Sequence, residues 1–406
     1  MKQLKSVLNY ITLLSAMYLT ASSIFYYPVQ KPGFYIFFAA YIIEIFVDRK
    51  WERIHFDKKT WYFIVLAFFF MLAVIYLPFE SSRKYTNFLF EKRFSLLGFA
   101  LVGFFGVNDK FKLNYFLNTF IITSIFSILY LIFLKVGILQ FISNPIRADL
   151  YVDQRNIFVN SHMLFDFYLN ISLIGIWYIL TRSWNRTSWW KISLYIATLP
   201  VFLGSLSISE GRSGFLLAII LMLGFVFFEI WKRKKIVGIV IALLILSLFA
   251  GWASHHKRMS KDDLKTESRI FLWKAAASII KEKPILGHGI SDAQEKFDVA
   301  RAKYETVDYR KMWIKSPHLD SHDQYLQTTM EFGIIGIFTL LFLYISPIFI
   351  ASYNKRLFAF FIMFLCAYQS VFDMFITGPF ASIFCILVLL ILRVKNNIVE
   401  PVKVKS

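Results

Sequence analysis

The sequence predicts an all-α integral membrane protein with about twelve transmembrane helices and a long, partly helical loop before the third-last span. Three observations carry that reading. Only 17% of the 406 residues are charged and 57% are hydrophobic, whereas a soluble domain is roughly a quarter charged. Mean hydropathy is +0.57, so the chain needs lipid as its solvent. The 46 Phe, 21 Tyr and 10 Trp suit a helix bundle with aromatic anchors at both interfaces.

Apolar runs near the length of a membrane helix fall at 7–26, 33–48, 61–79, 93–108, 114–139, 161–180, 191–209, 213–231, 235–253, 333–351, 356–373 and 376–393. The first follows Lys2 and Lys5 as a signal peptide would. It lacks an A-x-A cleavage site and leads directly into further spans, so it reads as the first helix.

The net charge of +19 is scattered between hydrophobic runs, which argues against nucleic-acid binding and makes it a topology signal. Arg49, Lys50, Arg53, Lys58 and Lys59 sit in one short loop, Arg182, Arg186 and Lys191 in another, and Lys232 to Lys235 in a third. These loops alternate consistently. With Lys110, Lys112, Lys355, Arg356 and the basic tail on the same side, both termini are placed in the cytoplasm. The chain then divides into spans one to nine (1–253), a loop on the far side (254–331), and the last three spans with the tail (332–406). The two cysteines, Cys366 and Cys385, lie in apolar runs and offer neither a disulfide framework nor a thiolate metal site.

Within the loop, Glu267 to Lys283 reads as a helix with Arg269, Trp273, Ala276, Ala277 and Ile280 at helical spacing, stopped by Pro284 with Gly287 and Gly289 beyond. A second helix is announced by Ser291 and Gln294 as a capping box, with Phe297, Ala300 and Tyr304 on one stripe. Ser321 and Gln324 repeat that spacing and predict His322 in the first turn of the helix that re-enters the membrane. A helix N-terminus disfavours imidazolium, which predicts a neutral His322 able to accept a proton, and it favours an anion nearby. Arg212 begins the eighth span within Glu210-Gly211-Arg212-Ser213-Gly214. It either snorkels to the interface or pairs with Glu210, or it offers a guanidinium fork to phosphate.

These residues fall into an ordered set: Arg212-Ser213-Gly214, then Glu267-Ser268-Arg269-Ile270-Phe271-Leu272-Trp273, Pro284-Ile285-Leu286-Gly287-His288-Gly289, Ser321-His322-Asp323-Gln324-Tyr325-Leu326-Gln327 and Glu331-Phe332-Gly333-Ile334-Ile335-Gly336. Their order and spacing resembles the O-antigen ligase and polymerase superfamily of bacterial membrane glycosyltransferases, from about residue 200 to 345. Two positions depart from that pattern. The usual His-Asn pair is His322-Asp323, and Ser209-Glu210-Gly211 stands where a Thr-x-Ser often precedes the arginine.

The resemblance implies a GT-C-like enzyme of the bacterial inner membrane, independent of metal, nucleotide or other cofactor, with its site on the periplasmic face. It implies transfer of a glycan from undecaprenyl diphosphate to a hydroxyl of lipid A core in lipopolysaccharide assembly, with inversion expected from a single displacement. His322 would be the base for the acceptor hydroxyl, and Arg212 and Arg269 the cations on the departing diphosphate. Asp323, Gln324, Tyr325 and Trp273 are further candidates for contact with the diphosphate or glycan. A polymerase or a protein O-glycan ligase would use the same donor.

Two other readings remain on the residues themselves. His318, Asp320 and His322, with His288, His255 and His256, could suggest a metal site, but at no recognised ligand spacing. Glu44, Asp166 and Asp373 are the charges a lipid-linked sugar transporter would use. Glu44 and Asp373 lie near span ends and read as interfacial. Arg83, Lys84, Arg147, Arg155 and His162 on the outer face read as solvated loop residues, and His288, between two glycines, as a turn residue.

Overall fold

Backbone in lipid must satisfy its own polar groups, and a helix does so within one segment. In the computed structural model the regular structure among the described residues is helical, apart from an isolated bridge between Lys112 and Lys395. The structure describes residues 2–25, 27–136, 161–183, 187–209, 212–231, scattered positions within 236–251, 268–304 and 320–395. The helices are α1 (Lys2–Ser22), α2 (Tyr27–Val47), α3 (Lys58–Tyr76), α4 (Thr86–Glu91), α5 (Phe94–Phe105), α6 (Leu113–Tyr130), α7 (His162–Ser183), α8 (Trp189–Ile208), α9 (Arg212–Trp231), α10 (Ser268–Ile280), α11 (Ile290–Tyr304), α12 (Gln324–Ile350), α13 (Tyr353–Gln369) and α14 (Gly378–Leu392).

Each apolar run predicted as a span coincides with a helix, except 235–253, of which only scattered positions are described. Among the described residues five helical stretches are long and apolar enough to cross a membrane: Lys58–Phe79, Leu113–Phe133, His162–Arg182, Trp189–Ile208 and Gln324–Ile350. Ser213–Glu229 and Gly378–Leu392 are apolar but shorter. Of the remaining predictions, those on Arg147, Arg155, Glu210, Lys232 to Lys235, His255, His256 and His318 lie outside the described residues.

The centre of the bundle is α7, hydrophobic and enclosed almost all round, as a helix without a polar face must be. It packs against α6, α8, α9 and α13. The other structural axis is α12, which packs against α3 and α13 and carries α10 and α11 at its N-terminal end. There Leu272, Ala275, Ala276 and Ile279 of α10 meet Ala293 and Phe297 of α11 and Met330 of α12. The buried face of α10 is therefore rotated from the predicted Arg269-Trp273-Ala276-Ala277-Ile280 stripe, leaving Arg269 and Trp273 at its flank.

The predicted capping box of α11 does not form. The helix starts at Ile290, and the Ser291 N–H donates to Glu80 Oε1 at 3.0 Å while the Ser291 hydroxyl accepts from Tyr85 N at 3.1 Å. The loop between α3 and α5 thus supplies the partners a local pattern would have supplied. Asp292 returns the exchange by accepting from the backbones of Ser81 and Ser82.

The Pro284-Ile285-Leu286-Gly287-His288-Gly289 segment docks on a kink in α12. Gly333 sits at φ 58°, ψ −146°, which breaks the helical ladder. The freed groups are taken by the docked segment: His288 N donates to Met330 O, Gly289 N to Glu331 O, and Ile334 N to Pro284 O. Backbones meet here so closely that a Cβ on Gly333 would lie 2.2 Å from Ile285 O. The site needs glycine for its left-handed φ and for its contact. Gly333→Ala should lower stability by about 1–3 kcal/mol, read as a fall in the thermal midpoint of the protein in detergent; an unchanged midpoint would deny the close docking.

Candidate active site

The approach to α12 differs from the predicted one in register. Asp323, not Ser321, is the N-cap: its carboxylate accepts from Leu326 N at 2.9 Å, and Gln327 N donates to its carbonyl. His322 therefore stands outside the first turn, at φ 48°, a left-handed backbone that costs a non-glycine residue about 1–2 kcal/mol. Ser321 Oγ donates to Asp323 O at 2.8 Å, and His322 N donates to Asp320 Oδ1 at 3.0 Å, so local hydrogen bonds hold that turn. Asp323 for asparagine is explained by this role, since the two cap helices about equally well.

The turn points His322 at two carboxylates. Its Nδ1 lies 3.5 Å from Asp320 Oδ1 and 3.7 Å from Asp373 Oδ1, with 29% of the side chain exposed. Burial opposes the imidazolium, but Asp320 and then Asp373 outweigh it and hold the His322 pKa above its ordinary value. This shift is opposite in direction to the one predicted from a helix end: the helix end acts through Asp323, while the ring answers to its acidic neighbours. Asp373, partly buried and facing His322, is held below the usual carboxylate range by that histidine.

Cations complete the cluster. Arg269 stands over the Phe372 ring at 5.8 Å and bears on the charge of both His322 and Asp373. Lys92, at the end of α4, has its pKa lowered by burial and feels Asp320 and Asp373. Lys92, Asp320, Gln327, Met374 and Thr377 line a small cavity there. Arg212 begins α9, and its side chain lies outside the described residues.

The remaining candidates are engaged internally. Gln324 donates to Thr328 Oγ1 and accepts from Ile376 N, and the Tyr325 hydroxyl donates to Ala367 O. Trp273 Nε1 is buried without a hydrogen-bond partner among the described residues. His288 is buried against Ile279 O at 3.2 Å, as its reading as a turn residue implies, and burial lowers its pKa. Among the described residues no group of three His, Cys, Asp or Glu could hold a metal ion.

Behind the cluster, Arg93 and Glu331 form an ion pair at 2.7 Å with 2% and 1% of their side chains exposed. Gln327 joins it to the His322 turn, donating to Glu331 Oε1 at 3.0 Å and accepting from Ser321 N at 3.4 Å. Sequence reasoning missed Asp320 as partner, Lys92 and Arg93, and reads Asp373 as an interfacial charge. The signal for Asp320 was its place in the His-x-Asp-x-His run. Asp373 enters the sequence reading only as a charge near a span end, and its approach to His322 is what places it in the cluster.

Residues 197–341 match the family described as O-antigen ligase. A Rickettsia typhi protein named as a polysaccharide ligase is 30% identical over 152 residues, 36% of each chain. One of Rickettsia bellii, with the same kind of name, is 30% identical over 153 residues, 36% of this chain and 35% of the relative. An uncharacterised Haemophilus influenzae protein is 23% identical over 196 residues, 44% of this chain and 46% of its own. The chain thus spans less than half the length of each of these relatives. These matches support the O-antigen ligase superfamily that the motifs resemble.

The His322 environment has a measurable consequence without any substrate. Neutral imidazole reacts with diethyl pyrocarbonate and imidazolium does not, so modification of His322 should rise with a midpoint above the ordinary value of about 6.5. Asp320→Asn removes a charge that raises the pKa, and should move the midpoint to lower pH. A midpoint unmoved by that change, followed by mass spectrometry, would separate His322 from Asp320.

Proposed function

We propose, taking the O-antigen ligase superfamily likeness as premise, that the chain is a glycosyltransferase moving a glycan from undecaprenyl diphosphate to a hydroxyl of lipid A core. The observation that carries the reading is His322 backed by Asp320 and Asp373 beside the cation Arg269, all on one outer cluster. With Nδ1 turned to the carboxylates, Nε2 is the ring atom left to take a proton, the division of labour seen when a carboxylate orients a catalytic histidine. The carboxylates also make His322 a stronger base than an isolated imidazole.

The acceptor oxygen attacks the anomeric carbon and passes its proton to His322 Nε2. The bond from that carbon to the diphosphate oxygen breaks, and the electron pair leaves with the diphosphate. Arg269, and Arg212 at the start of α9, hold the charge that develops there, which is the role of preorganised cations in such sites. One displacement inverts the anomeric centre. No metal is needed in this sequence of steps. In this reading the cluster faces the periplasm from the bacterial inner membrane, with both termini cytoplasmic.

Each charge-assisted hydrogen bond to diphosphate is worth about 1.5–3 kcal/mol, so Arg269→Ala or Arg212→Ala should lower transfer by about one to two orders of magnitude. His322→Ala should lower it at least as far. The assay is glycan transfer in membranes from undecaprenyl-diphosphate-linked donor, with products resolved on a gel and with chelator present, where the wild-type rate should persist. Single additions to lipid A core fit the ligase; a ladder on the lipid carrier means a polymerase, and glycan on protein a protein ligase. Undiminished transfer by His322→Ala would end the mechanism, and no transfer by wild type would return the transporter reading.

A further inference from the structure

Asp166 lies near the start of α7 with 2% exposure, and a carboxyl enclosed among apolar helices needs a reason. Its Oδ1 accepts from Ser209 Oγ at 2.8 Å, and its Oδ2 has no hydrogen-bond partner among the described residues. One turn further along α7, Asn170 Nδ2 donates to Asp166 O at 2.9 Å and to Gly214 O at 3.1 Å. Gly214 packs so closely that a Cβ there would lie 2.4 Å from Asp166 Oδ2. Ser209 closes α8 and Gly214 lies in the first turn of α9. The two contacts therefore hold the end of α8 and the first turn of α9, the helix that Arg212 begins.

The same end of α7 also touches the other half of the site. Phe167 packs edge-on against Phe375 at 5.0 Å between ring centroids and against Phe380 at 5.7 Å. Phe375 stands two residues beyond Asp373, the carboxylate facing His322. The start of α7 is thus a common reference for the Arg212 segment on one face and the Asp373 turn on another.

We propose that Asp166 and Asn170 are positioning residues that fix the Arg212 segment relative to the His322 cluster. The inference rests on the reading that Arg212 holds the donor diphosphate. It assigns the buried Asp166 to the glycosyltransfer site, where a transporter would use it as a binding charge. An apolar residue could fill the space of either side chain but could not hold Ser209 Oγ or Gly214 O.

Two measurements test it. In the transfer assay, at matched protein level in the membrane, Asp166→Leu should lower kcat/KM about ten- to hundredfold, the range expected when a reacting group is misplaced by about 1 Å. The KM for the lipid diphosphate should rise while that for the acceptor stays, and Asp166→Asn, which keeps an oxygen for Ser209, should recover most of the loss. In an Arg212→Ala background Asp166→Leu should cost little more. The same fold loss in both backgrounds would make Asp166 a general fold residue and overturn the proposal.

The second measurement needs no activity. Cys366 and Cys385 are buried, so Arg212→Cys gives purified protein a distinct site for a water-soluble maleimide. Adding Asp166→Leu should speed its labelling severalfold. An unchanged rate overturns the positioning role whatever the transfer assay gives. A faster rate in a protein that transfers no glycan would leave the clamp standing and defeat the glycosyltransferase reading.

Discussion

The pairing of Arg93 with Glu331 is the constraint on which the outer half of the molecule depends. The guanidinium Nη2 meets both carboxylate oxygens at 2.7 Å in a place almost closed to solvent. Two such charges are costly to desolvate, and removing either one alone leaves the other uncompensated, at about 3–5 kcal/mol. One turn of α12 consequently anchors three separate parts of the chain. Arg93 ties in the loop after α3, Gln327 ties in the turn before His322, and the carbonyls of Met330 and Glu331 hold the Gly287-His288-Gly289 segment. The motifs quoted from the sequence as separate runs are, in space, one structure built around that turn.

That convergence explains what could and could not be read in advance. The helices were legible because an apolar run of sufficient length leaves the backbone few other choices, and the stop at Pro284 was legible because proline ends a helix locally. The caps were not. Ser291-Gln294 and Ser321-Gln324 both have the spacing of a capping box, yet Glu80 serves the first helix from the far end of a loop, and Asp323 serves the second. A local pattern states which hydrogen bond is possible; tertiary contacts decide which is made.

The site was half legible for the same reason. His322 and Arg269 stand in runs whose likeness to a family is specific, and the structure sets them in one electrostatic neighbourhood. Asp373 read as an interfacial charge because nothing beside it in the chain suggests chemistry; only its 3.7 Å approach to His322 does. The predicted direction of the His322 shift failed because the helix end was credited with an influence that two nearby carboxylates exceed. Full charges close to a ring outweigh the fractional charge of a helix terminus.

The break in α12 at Gly333 also has a consequence for height. From Gly333 to Ile350 the helix is about 25 Å long at 1.5 Å per residue, close to the roughly 30 Å of a bilayer's hydrocarbon. The stretch from Gln324 to Phe332 adds about 13 Å beyond it. His322 stands at the tip of that stretch, beyond a length of helix close to one bilayer crossing. The glycine thus divides the helix into a part about as long as the hydrocarbon is thick and a part that leads to the histidine cluster.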